Sequence, residues 1–178
     1  MDTELARQWK EEGYVVVRGV YDAERTAHLR EISERILAHW RRESPQTGEP
    51  GGDRDAIVMR HLNHPGYFSN GEGGFSELMD TVADDRVLEI CLSILGQEPL
   101  FRCTSLFMNP LDTSDDGNWH RDTQHTYPDE EEEKRVIANS GREGTGVQLQ
   151  VALISSDALQ YVPGSHLRWD TPEEYAIR

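Results

Sequence analysis

The chain has 178 residues, 36% hydrophobic and 29% charged, a size and mix that suit one water-soluble domain with a buried core. Its formal net charge of −15 repels nucleic acid, and no basic stripe offsets that field. No apolar run reaches the roughly 18 residues of a membrane helix, and the polar, acid-bearing start Met1–Lys10 is no secretory signal, so a cytoplasmic setting is expected.

Leu5 and Trp9, separated by polar residues, mark a short helix over residues 4–12 that ends at Gly13. Tyr14-Val15-Val16-Val17 is apolar and β-branched and reads as a buried strand. Asp22 is placed to cap a helix, and Leu29, Ile32, Ile36, Leu37 and Trp40 recur at helical spacing. One amphipathic helix is therefore predicted from about 23 to 41, with that stripe in the core. Residues 44–55 are rich in Gly, Pro and polar side chains and read as a loop, residues 56–62 as a strand, and His64-Pro65-Gly66 as a turn. Phe75 to Leu95 keeps helical spacing with a break near Asp84, which predicts two helices, and Gly96 is placed as a C-cap.

From Pro99 onward the pattern changes. Leu100–Met108 is apolar and β-prone, Val147, Leu149, Val151 and Leu153 alternate with Gln148 and Gln150, and Leu159–Val162 reads as another short strand. Asp129–Glu133, an unbroken acidic run, reads as a solvated loop or a frayed helix start. Two cysteines are too few for a disulfide framework, and Cys91 and Cys103, each in an apolar stretch, are expected as buried thiols. Helices before residue 96 and strands after it imply an α+β architecture, with helices packed against a β-sandwich or barrel.

The residues that carry chemistry sit in the second half. In Trp119-His120-Arg121-Asp122, a strand would point His120 and Asp122 to one side and present an imidazole nitrogen and a carboxylate together. That pair is two-thirds of the facial triad that holds non-haem Fe(II) and leaves positions open. A lone His-x-Asp is weak, so its surroundings must supply the weight. Tyr161-Val162-Pro163-Gly164-Ser165-His166 brings a further histidine out of a Pro-Gly turn. One reading makes His166 the third ligand and Arg178 the partner of a 2-oxo acid carboxylate. Against it, His166 lies on a turn and Arg178 is the last residue, where chains fray. His125 has the opposite strand parity and is expected to point away from His120. His61 and His64 flank a turn, and His28 and His39 lie on the long helix; all four are expected as surface or packing residues.

Several segments, in order, resemble the phytanoyl-CoA dioxygenase family of iron and 2-oxoglutarate oxygenases. Glu11-Glu12-Gly13-Tyr14-Val15-Val16-Val17-Arg18-Gly19-Val20 is similar to the family's opening strand. Leu88–Gly96 is similar to its helix before the barrel, and Leu106–Pro110 to the strand ahead of the metal motif. Trp119–Asp122 is similar to its Trp-His-x-Asp, and Gln160–His166 to its Val-Pro-Gly-Ser-His turn. The resemblance implies a double-stranded β-helix, a cupin-like jelly-roll barrel with N-terminal helices packed on one face. It would form a single domain over 1–178, helical to about 96 and barrel-forming from about 97. It implies His120 and Asp122 as ligands of Fe(II), 2-oxoglutarate as co-substrate, O2 as oxidant and hydroxylation of a small organic substrate. It also implies that Pro-Gly-Ser-His is a loop, with the third histidine and the 2-oxoglutarate arginine further on, beyond a Gly-Asp turn. The chain ends before such a segment, so a form lacking the final strands is expected. An acyl-CoA, with its phosphates, suits a chain at −15 poorly, and a small uncharged or amino-acid-like substrate is expected instead. Two alternatives stay open: a non-catalytic jelly-roll binding protein, and a cupin-like metalloenzyme using His166, with or without His125.

Overall fold

The computed structural model describes residues 3–45, 47, 58–69, 71, 73–108, 119–140, 146–156 and 159–178. Its helices are α1 (Thr3–Glu12), α2 (Ala23–Arg42), α3 (Phe75–Val82), α4 (Asp85–Leu95), α5 (Glu130–Ser140) and α6 (Pro172–Ile177). Two strands, β1 (Val58–Arg60) and β2 (Ser105–Phe107), and 3-10 turns at Pro65–Phe68, Asp122–His125 and Ser165–Leu167 complete it. The chain forms two compact units, one of residues 19–87 and 100–114, the other of residues 1–18, 88–99 and 115–178.

In the first unit the Asp22 carboxylate starts α2 by accepting the Arg25 N–H at 2.8 Å, as the sequence predicts. The apolar stripe of α2 turns Leu29, Ile32 and Ile36 inward. Ile32 and Ile36 join Met59, Leu62, Tyr67 and Leu78 in one buried cluster, with Leu37, Trp40, Phe68, Leu106 and Met108 packed around it. β1 and β2 run antiparallel with Met59 opposite Leu106, so the fully buried Met59 is sealed from the β2 side. The pairing continues past β1, where the His61 N–H donates to the Thr104 carbonyl at 2.7 Å and the Thr104 hydroxyl to Asn63 Oδ1 at 2.8 Å. The predicted break near Asp84 is real: its carboxylate accepts the Arg86 N–H at 3.0 Å, and α4 begins there. Gly96, at φ +69°, ends α4 as expected.

In the second unit α1 is clasped to the Pro-Gly-Ser-His turn. The Gly164 N–H donates to the Glu12 carbonyl at 2.8 Å, and Tyr14 stacks on Tyr161 at 4.9 Å with the rings 6° from parallel. His166 lies directly against Gly13, with Nε2 3.2 Å from the Lys10 carbonyl oxygen. Gly13 sits at φ +83°, and a Cβ there would collide with the His166 ring. Gly13→Ala is therefore expected to cost about 1–3 kcal/mol, read as a fall in the urea midpoint with unchanged slope. A neutral result would mean that the clasp opens freely.

The strands expected at 14–17, 147–153 and 159–162 are not present as strands. Among the described residues, ladder pairing is confined to β1 and β2, and the barrel predicted from about 97 is represented by Ser105–Phe107 alone. The Tyr14–Val17 segment has no regular secondary structure, with Val16 61% and Val17 40% exposed. The reason is physical: alternation and β-branching favour an extended chain, and only a paired neighbour makes it a strand. Of residues 56–62, Val58–Arg60 form β1, whereas most of the loop expected at 44–55, and Asn109-Pro110, lie outside the described residues. Of the two readings of the acidic run, the helix start is the one observed: Glu130–Glu133 form the first turn of α5. Asp129 caps α5 by accepting the Glu132 N–H at 2.9 Å, and the glutamates of the first turn complement the helix dipole. Cys91 is buried, and burial pushes its thiol pKa up, but Cys103 is exposed, contrary to expectation. Among the described residues no helix is long and apolar enough to cross a membrane.

Candidate functional site

The site lies in the second unit, where extended chain at Trp119–Arg121 runs into the 3-10 turn Asp122–His125. Gln124 pins this junction. Its backbone N–H donates to the Arg121 carbonyl at 3.1 Å, and its side-chain oxygen accepts the Arg121 N–H at 3.3 Å. His120 and Asp122 consequently face the same way, with Nε2 and Oδ1 3.4 Å apart, and both are open to solvent, at 41% and 78%. The strand expected here does not form, and a 3-10 turn begins at Asp122 itself, yet the juxtaposition expected of the pair is present. The turn also overrides strand parity for His125, whose ring centre lies 5.5 Å from that of His120 rather than pointing away.

Between the two exposed groups, Arg121 is sheltered, at 13% exposure. Its Nε donates to Asp170 Oδ1 at 2.6 Å, one terminal nitrogen to the Ser165 carbonyl at 2.9 Å, and the other to the Arg168 carbonyl at 3.2 Å. Arg178 completes the cluster. It reaches Asp170 Oδ2 at 2.8 Å and Glu133 Oε2 at 2.5 Å, while the Thr123 hydroxyl donates to Glu133 Oε1 at 2.7 Å. Its guanidinium carbon also lies 4.9 Å from the Trp169 ring centre and 5.4 Å from that of Tyr175. Contrary to the exposed end its terminal position suggested, Arg178 is 12% exposed and contacts two carboxylates and two aromatic faces.

Asp170 and Glu133 are the residues that sequence reasoning missed. The acidic run hid Glu133, since four of its five members are exposed and only Glu133 is buried, at 2%. Nearby, Arg168 grips Glu174 through two hydrogen bonds of 2.6 and 2.7 Å. With the Thr171 N–H donating to the same carboxylate, this holds the Glu174 pKa down at about 2.

These groups border a cleft of about 180 Å³ whose walls include Trp119, His120, Arg121, Tyr161, Asp170 and Arg178. His166 is not among the cleft's lining residues. Its ring is taken up by Gly13 and the Lys10 carbonyl, which suits a loop role and not a metal ligand. His64 and His39 set their edges against Tyr67, and His64 Nδ1 accepts the Gly66 N–H at 3.1 Å, so both are packing residues as expected.

The donor set can be tested against a metal. Two donors each about 2.1 Å from a shared ion stand no more than about 4.2 Å apart, so the 3.4 Å between His120 and Asp122 can be bridged by one ion. An imidazole nitrogen and a carboxylate oxygen suit a first-row divalent ion. Among the described residues no group of three or more His, Cys, Asp or Glu that could hold a metal forms, so the pair would offer an ion two contacts. The family model of phytanoyl-CoA dioxygenase (PhyH) matches residues 9–177. No curated protein and no solved structure matches the chain.

Proposed function

Because the chain belongs to the phytanoyl-CoA dioxygenase family, we propose that it acts as a non-haem Fe(II)- and 2-oxoglutarate-dependent oxygenase that hydroxylates a small organic substrate, with His120 and Asp122 as metal ligands. The fold that goes with this reading is the double-stranded β-helix, in one domain. The observation that carries the assignment is the 3.4 Å approach of His120 Nε2 and Asp122 Oδ1 on an exposed edge, with His120 in the wall of the cleft. When bound, Fe(II) with 2-oxoglutarate and O2 supplies the oxidising power for C–H hydroxylation, with succinate and CO2 as co-products. The chain's own contribution is to hold the two donors in register and to shape the ground beside them.

The cleft also bears on the substrate. Both guanidinium groups in its wall are already paired, Arg121 with Asp170, and Arg178 with Asp170 and Glu133. The phosphates of an acyl-CoA would compete with carboxylates for these cations in a chain at −15. A small uncharged or amino-acid-like substrate fits better, with Trp119 and Tyr161 as its apolar wall. Calorimetry is expected to show no tight binding of an acyl-CoA; submicromolar binding would overturn this preference. The activity itself is tested by Fe(II)-dependent formation of succinate from 2-oxoglutarate. It is expected to disappear in His120→Ala, and succinate formation that persists unchanged in that variant would defeat the assignment.

A further inference from the structure

Arg121 lies between the two proposed ligands, is sheltered from solvent and donates to three acceptors, so its anchoring calls for an explanation. We infer that Arg121 is a positioning residue, whose guanidinium fixes the backbone between His120 and Asp122 and so sets the separation of the two donor atoms; this inference rests on the metal reading given above. The geometry is a three-point anchor. Asp170, Ser165 and Arg168 each supply an acceptor, at 2.6, 2.9 and 3.2 Å, all from the segment that follows the Pro-Gly turn. The Arg121 backbone is held independently, its N–H by the Gln124 side chain and its carbonyl by the Gln124 N–H. With the Cα fixed from both sides, the peptides on either side of it have little freedom, and those peptides carry His120 and Asp122.

The anchor requires arginine. Only a planar guanidinium presents Nε–H and two terminal nitrogens in one rigid fork. A lysine would keep the charge near Asp170 but could satisfy the three directions only loosely. The ion pair is also sheltered, at 13% and 6% exposure for Arg121 and Asp170, so water does not easily substitute for a lost contact. The Pro-Gly-Ser-His turn thereby gains a role. It does not supply a ligand; its Ser165 carbonyl helps hold the ligand pair, and its Gly164 and His166 are clasped to α1.

The test uses Co(II), a spectroscopic stand-in for Fe(II), titrated into the full chain and followed by its visible ligand-field bands. His120→Ala tests the underlying reading: it should abolish the bands, and bands that persist unchanged would remove the metal site itself. Arg121→Lys is expected to weaken Co(II) binding about tenfold or more and to shift the bands, while far-UV circular dichroism stays native. Ile137→Val, a truncation of a buried α5 side chain, serves as a control for lost stability. It should lower the melting temperature and leave both affinity and band positions alone. If His120→Ala abolishes binding but Arg121→Lys retains wild-type affinity and bands, or weakens binding only as much as the control does, Arg121 is merely structural and the inference fails. Should Arg121→Lys fold poorly, Arg121→Gln, whose amide nitrogen stands near the Nε position and keeps only the direction toward Asp170, is read by the same bands.

Discussion

Glu133→Ala should cost the chain about 3–5 kcal/mol, the largest loss of stability expected from any single polar substitution. Glu133 is 2% exposed and accepts from both Arg178 and the Thr123 hydroxyl. Its removal leaves Arg178, itself 12% exposed, with Asp170 as its remaining carboxylate, and Asp170 already serves Arg121. Most of the penalty comes from the sheltered guanidinium left behind and not from the pair's net worth, because desolvating two charges offsets much of their attraction. Glu133→Gln should therefore cost much less, since the amide oxygen can still accept from Arg178 or Thr123. Denaturant unfolding separates these cases. A midpoint shift for Glu133→Ala no larger than that of an exposed Glu131→Ala would mean that solvent screens the cluster and that the ion network does not hold this unit together.

The second large effect concerns function. His120→Ala and Asp122→Ala should each remove metal binding almost entirely, because a two-point site that loses one donor keeps a single solvent-exposed contact. The losses should not add. If both donors serve one ion, as proposed, a double variant has nothing further to lose, and a cycle should show strong coupling. The exposure of the pair makes this test clean, since neither side chain is buried enough for its removal to disturb packing. Stability should change by no more than about 0.5 kcal/mol in either variant, as is usual for surface positions.

What the sequence revealed about the fold followed the range of the interactions involved. Local signals were legible: the Asp22 carboxylate that starts α2, the Ile32 and Ile36 stripe, the Asp84 break between α3 and α4, and the Gly96 stop. Each is decided within a few residues by capping, helical period or backbone geometry. Strands were not legible in the same way. Val15–Val17 and Val147–Leu153 have strand composition, but a strand exists only when another chain segment pairs with it, and composition cannot supply that partner. The site divides along the same line. His120 and Asp122 were expected side by side because they are two residues apart, and they stay together even though a 3-10 turn replaces the expected strand. His125 was misjudged because strand parity was applied across that turn, and Arg121 at its cap position is not one of the Ser, Thr, Asp or Asn residues that announce a helical start. The ionic cluster was beyond local reading, since Arg121, Glu133, Asp170 and Arg178 meet only in the folded chain.

The family match covers residues 9–177, and the segments that resemble the family's motifs make contacts across long stretches of the chain. Gly13-Tyr14 meets Tyr161 and His166, and Arg121 meets Ser165, Arg168 and Asp170. The tightest sequence signals are thus the two halves of clasps. That gives a physical reason for glycine at 13, where φ is +83° and the His166 ring leaves no room for a Cβ.

The most direct measurement is an anaerobic Fe(II) titration of the full chain alongside His120→Ala, Asp122→Ala and the double variant, with unfolding curves recorded on the same samples. Saturable binding in the unsubstituted chain, lost in each single variant and no weaker in the double, with stability unchanged throughout, is the expected result. Binding that survives in both single variants, or that falls only in step with stability, would contradict a shared ion between His120 and Asp122.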